Sequence, residues 1–152
     1  MNIEKIVREY LSTVIHLSLA TSKDNKPWVC EVHFVFDKDL NFYFRSRTNT
    51  RHSQEIASNT NVAGNIVRQH TAEEEVRGVY FEGTAELLSN VDENHPAYQL
   101  YCQRFSTGPD ILEESHTTEG HKFYQIQVEN FYVFDNQESQ PSTKYHLPWP
   151  AK

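Results

Sequence analysis

The first residues of the chain carry their apolar side chains at a helical spacing. They are Ile3, Ile6, Val7, Tyr10 and Leu11, at i, i+3, i+4, i+7 and i+8, which places them on one stripe of an α-helix. The spacing predicts an N-terminal helix that ends by about residue 13.

From residue 14 the apolar period changes to two, as in a half-buried strand. Residues 14–20, 28–36 and 40–44 alternate in this way, and short turn sequences separate them. Three such segments on short loops predict three consecutive strands in an antiparallel meander.

The pattern beyond residue 46 predicts further strands and short helices. Gly83 lies inside one of these strands, which indicates a bulge or a close backbone approach. The tail over 137–152 has no period and is predicted to be irregular. The predicted elements are a polar helix over 50–58, strands over 62–67 and 76–88, a helix from Pro96 to 105, one helical turn after Pro109, and strands over 123–128 and 131–134.

These elements predict one domain over 1–152, mainly β with short helices (β+α). A chain of 152 residues has the length of a single domain, and neither a repeat nor a domain boundary interrupts it. Six or so strands with short helices outside them favour a closed antiparallel barrel.

The charge of the chain argues against whole classes of partner. Lys and Arg number 14 and Asp and Glu number 21, so the formal net charge is -7. An acidic surface disfavours binding to nucleic acid or to an anionic membrane. The first residues lack the apolar segment of a signal peptide, and no apolar run approaches the length of a membrane span. These features predict a cytoplasmic protein.

Neither the cysteines nor the histidines form a recognisable metal motif. Cys30 and Cys102 are far apart and lack the C-x-x-C spacing, so we interpret them as small packing residues. No H-E-x-x-H occurs, and the neighbouring His116 and His121 lie in a predicted loop, as surface residues do. No metal site is predicted.

The most informative segment is the basic stretch over 45–52. It holds three of the arginines of an acidic protein, Arg45, Arg47 and Arg51, together with hydroxyl side chains. It leaves a predicted strand and enters a predicted helix, whose first backbone N–H groups have no partner within the helix. Free N–H groups, hydroxyls and Arg side chains suit a phosphate. Composition alone leaves a solvated basic loop as the alternative.

Three stretches of the chain resemble the pyridoxamine 5′-phosphate oxidase-like family of FMN-binding split β-barrels. Residues 17–21 with 27–32 are similar to the opening hairpin of that family, and 42–56 to its phosphate segment. Residues 77–86 are similar to the strand with a central Glu-Gly, which a helix follows. The resemblance spans about residues 14–134 and implies a split antiparallel β-barrel in a single domain.

The resemblance also implies where FMN would bind. Ser46, Thr50, Arg51 and His52 would hold the flavin phosphate, and Arg45 beside them is a further candidate. The second strand would run beside the edge of the isoalloxazine ring, through the four consecutive residues Cys30, Glu31, Val32 and His33. Their backbone N–H groups could meet N5 and O4 of the flavin.

A homodimer follows from the same resemblance, because the family usually forms its flavin sites between two subunits. The predicted strands also carry Tyr43, Tyr80 and Tyr132, which a lone small barrel would leave partly exposed. Apolar surface of that kind commonly marks an interface.

Some positions depart from the family pattern. His52 stands where the family often has Lys, so a phosphate contact there would depend on pH. Gly78 stands where the oxidases carry a flavin-contacting Gln, and no Arg follows Arg104, whereas those oxidases use a C-terminal Arg for substrate. Oxidation of vitamin B6 is therefore not expected. Trp149 either caps a flavin face or packs loosely at the terminus.

The sequence thus favours an FMN-binding flavoprotein, an oxidoreductase that transfers hydride or electrons to a small molecule. Two alternatives stay open at this point. One is a binding module that holds flavin, deazaflavin or haem without turnover, since a fold does not fix a function. The other is a structural dimer without a ligand.

Overall fold

The computed structural model describes residues 2–135 and 143–151. None of the helices in these residues is long and apolar enough to span a membrane. The elements of the described residues are α1 (Ile3–Ser12), β1 (His16–Lys23), β2 (Lys26–His33), β3 (Val35–Phe36), β4 (Phe42–Ser46), α2 (Arg51–Ser58), β5 (Asn61–Val67), β6 (Arg77–Leu87), α3 (Pro96–Phe105), α4 (Pro109–Ser115), β7 (Lys122–Asp135) and β8 (Thr143–Pro148).

The strands form one curled antiparallel sheet in the order β2-β1-β5-β6-β7-β4-β3, and β8 pairs with β7. Only Phe34 separates β2 from β3 along the chain, so the two ends of the sheet lie near each other. The hydrogen-bonded path ends at these two strands within the described residues, which makes the barrel split rather than closed. The predicted class, mainly β with short helices in a split antiparallel barrel, is confirmed, and the full closure expected from the strand count is wrong.

The predicted meander is only half correct. β1 and β2 form a tight hairpin whose turn residues, Asp24 and Asn25, have φ values of 51° and 61°, as a two-residue type I′ turn requires. The third strand, β4, pairs instead with β7. The reason is that the second strand breaks at the fully buried Phe34, and the chain beyond it joins β4 through β3. Apolar side chains continue to recur at every second position of the sequence on both sides of Phe34. The hydrophobic period therefore could not reveal that the strand is interrupted there.

One long strand replaces the two that were predicted after residue 122. β7 is continuous, and its register against β6 shifts between Glu82 and Gly83, where Glu129 is the extra residue of a bulge. A Cβ atom on Gly83 would lie 2.1 Å from the carbonyl oxygen of Gln127. The close approach that the strand glycine indicated is confirmed.

The expectation of an irregular tail is wrong for Thr143–Pro148, which form β8 along Asn130–Asp135 of β7. Tyr145 and Leu147 pack on the core and alternate with the exposed Lys144 and His146, but this period is short and lies between prolines. Residues 137–142 and 152 of the tail lie outside the described residues. Trp149 packs on Phe131 with ring centres 6.0 Å apart, and its indole N–H donates to the carbonyl oxygen of Asp39 at 2.7 Å. Trp149 is therefore fixed by a ring contact and a hydrogen bond and does not pack loosely, and its role in capping a flavin face stays a prediction.

Aromatic side chains fill the barrel. Phe34, Phe42, Phe44, Phe81 and Phe131 are all at most 2% exposed, and α1 packs its apolar stripe against the same cluster.

A second cluster lies outside the barrel, where α3 and α4 cover β3, β4 and β7. It contains Tyr43, which is 3% exposed, so the expectation of a partly exposed face there is wrong. Tyr80 and Tyr132 are half-buried.

Candidate functional site

The basic segment leads from β4 into the start of α2. Thr50 is the N-cap of this helix, with extended backbone, and its Oγ1 accepts the N–H of Ser53 at 3.3 Å. The N–H groups of Arg51 and His52, in the first turn, have no partner within the helix. They lie at the positive end of the helix dipole, which favours an anion.

Four side chains meet at this helix start, and we call them the hydroxyl cluster: Ser46, Thr50, His52 and Ser53. Ser46 Oγ lies 2.7 Å from His52 Nε2 and 3.1 Å from Thr50 Oγ1, and Ser53 Oγ donates to it at 3.2 Å. Ser46 and Ser53 are 4% and 2% exposed, whereas Thr50 and His52 are half-buried. The structure therefore brings three predicted phosphate residues together and adds Ser53, which sequence reasoning did not single out.

The imidazole of His52 is mostly uncharged at neutral pH. Burial lowers its pKa below the ordinary value, and the nearby carboxylate of Glu55 only partly opposes this. In the neutral ring, Nε2 can either accept from Ser46 or donate to it. The hydroxyl cluster is thus a set of neutral hydrogen-bonding groups at the start of α2. A positive charge that would attract an anion has to come from a neighbouring residue.

Arg51 is that neighbour, but its side chain lies beside the cluster rather than over it. Its Nε donates to Glu55 Oε2 at 2.9 Å, and its guanidinium carbon lies 4.3 Å from the centre of the Trp28 ring. The side chain is 49% exposed. It therefore stacks on β2 and remains open to solvent.

Glu55 is buried beneath Arg51. Its carboxylate accepts from Thr21 Oγ1 and from Arg51 Nε, both at 2.9 Å, and the residue is 5% exposed. The hydrogen bond from Arg51 lowers the pKa of this carboxyl, against the effect of burial. Sequence reasoning missed Glu55, although its i,i+4 spacing from Arg51 on a helix was a usable signal.

Arg45, in contrast, is not part of this site. It precedes Ser46 on β4, and neighbouring side chains on a strand point to opposite faces. Arg45 donates to Glu114 at 2.6 Å and lies over the rings of Tyr101 and Phe123, 5.6 and 5.5 Å from their centres. Arg47 is exposed on the loop. Its backbone carbonyl accepts from Thr50 Oγ1 at 3.1 Å, so Arg47 contacts the hydroxyl cluster through its backbone and not through its charge.

The two loop histidines lie at the ends of different elements: His116 is the C-cap of α4, and His121 directly precedes β7. His121 Nδ1 lies 2.7 Å from Glu114, and that contact, together with the bond from Arg45, lowers the pKa of Glu114 to about 2. Within 2–135 and 143–151, no three His, Cys, Asp or Glu side chains are arranged to hold a metal ion.

The strand β2 presents an open backbone edge. The N–H of Phe34, directly after β2, donates at 3.0 Å to the carbonyl oxygen of Ile15, directly before β1. By antiparallel alternation the N–H groups of Cys30 and Val32 therefore also point toward β1. Those of Glu31 and His33 point away from β1, and β2 is the last strand of the sheet. Of the four predicted flavin-edge residues, these two carry the available amides.

The side chains of β2 alternate in the opposite sense. Cys30 and Val32 pack against the barrel core, whereas Glu31 and His33 are exposed. Burial, and then the charge of Glu31, raises the pKa of Cys30 to about 11, so it is a neutral thiol at physiological pH. Its interpretation as a packing residue is confirmed.

The open edge and the helix start are linked through one strand. Trp28, which stacks with Arg51, lies near the start of β2. Glu31 is three residues further along, about 10 Å at the rise of an extended strand. An elongated ligand could therefore contact both the helix start and the edge amides.

Residues 3–135 match the protein family described as Pyridoxamine 5′-phosphate oxidase. The chain belongs to this family. The membership confirms the resemblance drawn from the three sequence motifs, and the matched range covers every residue of the site described above.

Relatives in sequence and in structure agree with this membership in the pyridoxamine 5′-phosphate oxidase family. A UPF0306 protein of Photorhabdus laumondii is 29% identical over 102 residues, 66% of this chain and 71% of its own length. A pyridoxamine 5′-phosphate oxidase-related, FMN binding protein of Nostoc punctiforme superposes with a TM-score of 0.70 at 11% identity, covering 97% of this chain and 91% of its own. HutZ, the haem storage protein of Vibrio cholerae, superposes with a TM-score of 0.64 at 19% identity, over 85% and 92% of the two chains. At these identities the two structures show a shared fold.

Proposed function

We propose that this protein binds FMN without a covalent bond and acts as a flavin-dependent oxidoreductase. The observation that carries the proposal is the start of α2, where the hydroxyl cluster, free amides and Arg51 form an anion site. The Nostoc relative, described as FMN binding, supports flavin as the ligand class.

The residues divide the binding of the phosphate among them. The N–H groups of Arg51 and His52, the hydroxyl of Thr50 and the guanidinium of Arg51 would contact it directly. Ser46 is buried, so its role is to fix the imidazole of His52, to which it is bonded. Bound FMN would supply hydride or single-electron transfer, while the protein anchors and orients it.

The ring of the flavin would lie along the open edge of β2. The backbone N–H groups of Glu31 and His33 are the donors available to its acceptor atoms N5 and O4. Because backbone groups make these contacts, the side chains at both positions are free to vary. The proposal does not extend to oxidation of pyridoxine 5′-phosphate, because no arginine follows Arg104 to bind that substrate.

An experiment that tests the proposal is reconstitution of the purified protein with FMN. The expected result is saturable quenching of flavin fluorescence, followed by re-oxidation of the bound reduced flavin by a small electron acceptor. Absence of binding at micromolar FMN would overturn the proposal. Binding without any electron transfer would reduce it to a flavin-binding module.

Haem binding is the second candidate. The HutZ neighbour is a haem storage protein, and His16 and His33 lie directly opposite each other on the exposed face of the β1–β2 hairpin. Imidazole is a common axial ligand of haem iron. A strong Soret band in the spectrum of the purified protein, with no flavin bands, would favour this function over the first.

We also propose a homodimer, because the hairpin exposes apolar side chains that a partner would cover. Ile15, directly before β1, is 47% exposed, and Val29 on β2 is 59% exposed on the face opposite Trp28. Exposed apolar patches mark interfaces. Light scattering is expected to give twice the chain mass of 17.8 kDa. The mass of one chain at micromolar concentration would contradict the dimer.

The lowered pKa of His52 predicts how its contribution to FMN affinity changes with pH. Above its pKa the ring is neutral and adds no charge, whereas below it the protonated ring attracts the phosphate. The His52→Ala variant is therefore expected to bind FMN nearly as well as wild type at pH 8. The ratio of the two dissociation constants should rise as the pH falls toward this lowered pKa, which lies below the ordinary value of about 6.5.

Fluorescence titration of both proteins at each pH measures this ratio. The ratio is the proper quantity because the phosphate itself gains a proton near pH 6, which weakens binding to both proteins alike. A ratio that stays constant between pH 5 and pH 8 would show that His52 does not face the phosphate.

A further inference from the structure

A buried carboxylate at a phosphate site is unexpected, since like charges repel. Glu55 is nevertheless 5% exposed and bonded to Arg51, the residue that we assign to the phosphate. Glu55 either competes with the ligand for Arg51 or prepares Arg51 to receive it. The geometry of the contacts distinguishes these roles.

The contact with Glu55 uses only one part of the guanidinium. Glu55 Oε2 accepts from Nε of Arg51, and a guanidinium has four further N–H donors on its two terminal nitrogens. The Trp28 ring, 4.3 Å from the guanidinium carbon, restricts the plane of the group. Glu55 thus holds Arg51 at Nε, and Trp28 covers one face of its guanidinium. The Arg51 side chain nevertheless stays half exposed.

Glu55 is itself fixed from below. Its second oxygen accepts from Thr21, which is 2% exposed on β1. A chain of contacts therefore runs from the buried wall of the barrel through Glu55 to Arg51. Without it, a long and flexible side chain would lose its rotamer freedom only when the ligand binds, at a cost to affinity.

We propose that Glu55 is a positioning residue that fixes Arg51 in the orientation in which its terminal N–H groups bind the flavin phosphate. This inference rests on the proposed function. Its carboxylate is balanced by Arg51 itself and by the charge of Lys23 nearby, so its repulsion of the phosphate is small. Thr21 and Trp28 help to hold Arg51 in this orientation, Thr21 through its hydrogen bond to Glu55 and Trp28 by stacking on the guanidinium.

The test is a double-mutant cycle on FMN affinity. Glu55→Gln keeps the size of the side chain and removes its charge. Alone, it is expected to weaken FMN binding roughly threefold to tenfold, the range for one coupled charged pair. In the Arg51→Ala background the same change is expected to have no effect or to tighten binding, because only the repulsion then remains. A residue that merely stabilised the fold would weaken binding in both backgrounds.

Two controls accompany the cycle. Riboflavin, which lacks the phosphate, should bind wild type and Glu55→Gln equally, so that loss of folding would be detected. Glu114→Gln breaks a second Arg–Glu pair, with Arg45 on the far face of β4, and should leave FMN affinity unchanged. Thr21→Val should weaken FMN binding in the same direction as Glu55→Gln, but less.

The outcomes separate this inference from the proposed function. If Arg51→Ala weakens FMN while Glu55→Gln leaves affinity unchanged or improves it, the phosphate site stands and the positioning role is wrong. If Arg51→Ala leaves FMN affinity unchanged, the assigned phosphate site and the positioning role both fail. If Glu55→Gln weakens FMN equally with and without Arg51, its effect does not pass through Arg51 and the proposal is overturned.

Discussion

Replacing Arg51 by alanine is expected to weaken FMN binding about 10- to 150-fold. The change removes a charge-assisted contact worth about 1.5–3 kcal/mol. It also leaves the carboxylate of Glu55, which is 5% exposed, without its charged partner close to the ligand. Titration of FMN fluorescence against wild type and variant measures the ratio of dissociation constants.

Riboflavin and a second arginine are the matched controls. Riboflavin should bind wild type and Arg51→Ala about equally, because it has no phosphate to lose. Arg47→Ala removes an exposed arginine from the same loop and is expected to change FMN affinity less than threefold, since exposed charges interact weakly. Equal FMN affinity in wild type and Arg51→Ala would show that the basic segment is a solvated loop.

Replacing Arg104 by alanine is expected to lower the free energy of unfolding by about 2–4 kcal/mol. Its guanidinium, at the end of α3, donates to the carbonyl oxygens of Phe34, Leu11 and Val14 at 3.2, 3.1 and 2.5 Å. It also lies 5.1 Å from the centre of the Phe34 ring. One side chain thereby joins α3 to the end of α1 and to the break between β2 and β3, and its loss leaves polar backbone groups without partners.

Urea unfolding followed by tryptophan fluorescence measures the effect. Arg104→Lys should recover only part of the stability, because an ammonium cannot match the planar fork of a guanidinium. Gln103→Ala, at the exposed neighbouring position of the same helix, should change the free energy of unfolding by less than about 0.5 kcal/mol. A similarly small change for Arg104→Ala would mean that water replaces all three contacts.

Local signals in the sequence predicted local structure well. The start of α2 follows from Thr50 as a cap, and the bulge follows from Gly83. The hydroxyl cluster was predictable for the same reason, because Ser46, Thr50 and His52 lie within one turn and one loop of each other. Arg45 could have been excluded, since it neighbours Ser46 on a strand and must point to the other face.

Contacts between distant segments could not be read in this way. The pairing of β4 with β7 joins residues about eighty positions apart. The hydrophobic period of a strand shows which side chains share a face, but it does not show which other strand will pair with it. Thr21 meets Glu55 across 34 positions for the same reason. The strand β8 was missed because its alternation, with Tyr145 and Leu147 packed on the core and Lys144 and His146 exposed, is short and lies between prolines.

The pairing of β8 with β7 also bears on the tendency of the protein to aggregate. β8 covers Asn130–Asp135, a run with Phe131, Tyr132 and Val133 whose backbone would otherwise form an exposed edge, ready to pair with another chain. β8 itself carries Lys144 and Pro148, residue types that discourage a further strand from adding. This six-residue strand thus replaces an edge that could pair with another chain by a protected one, and weakening its pairing would promote edge-to-edge assembly before it unfolded the core.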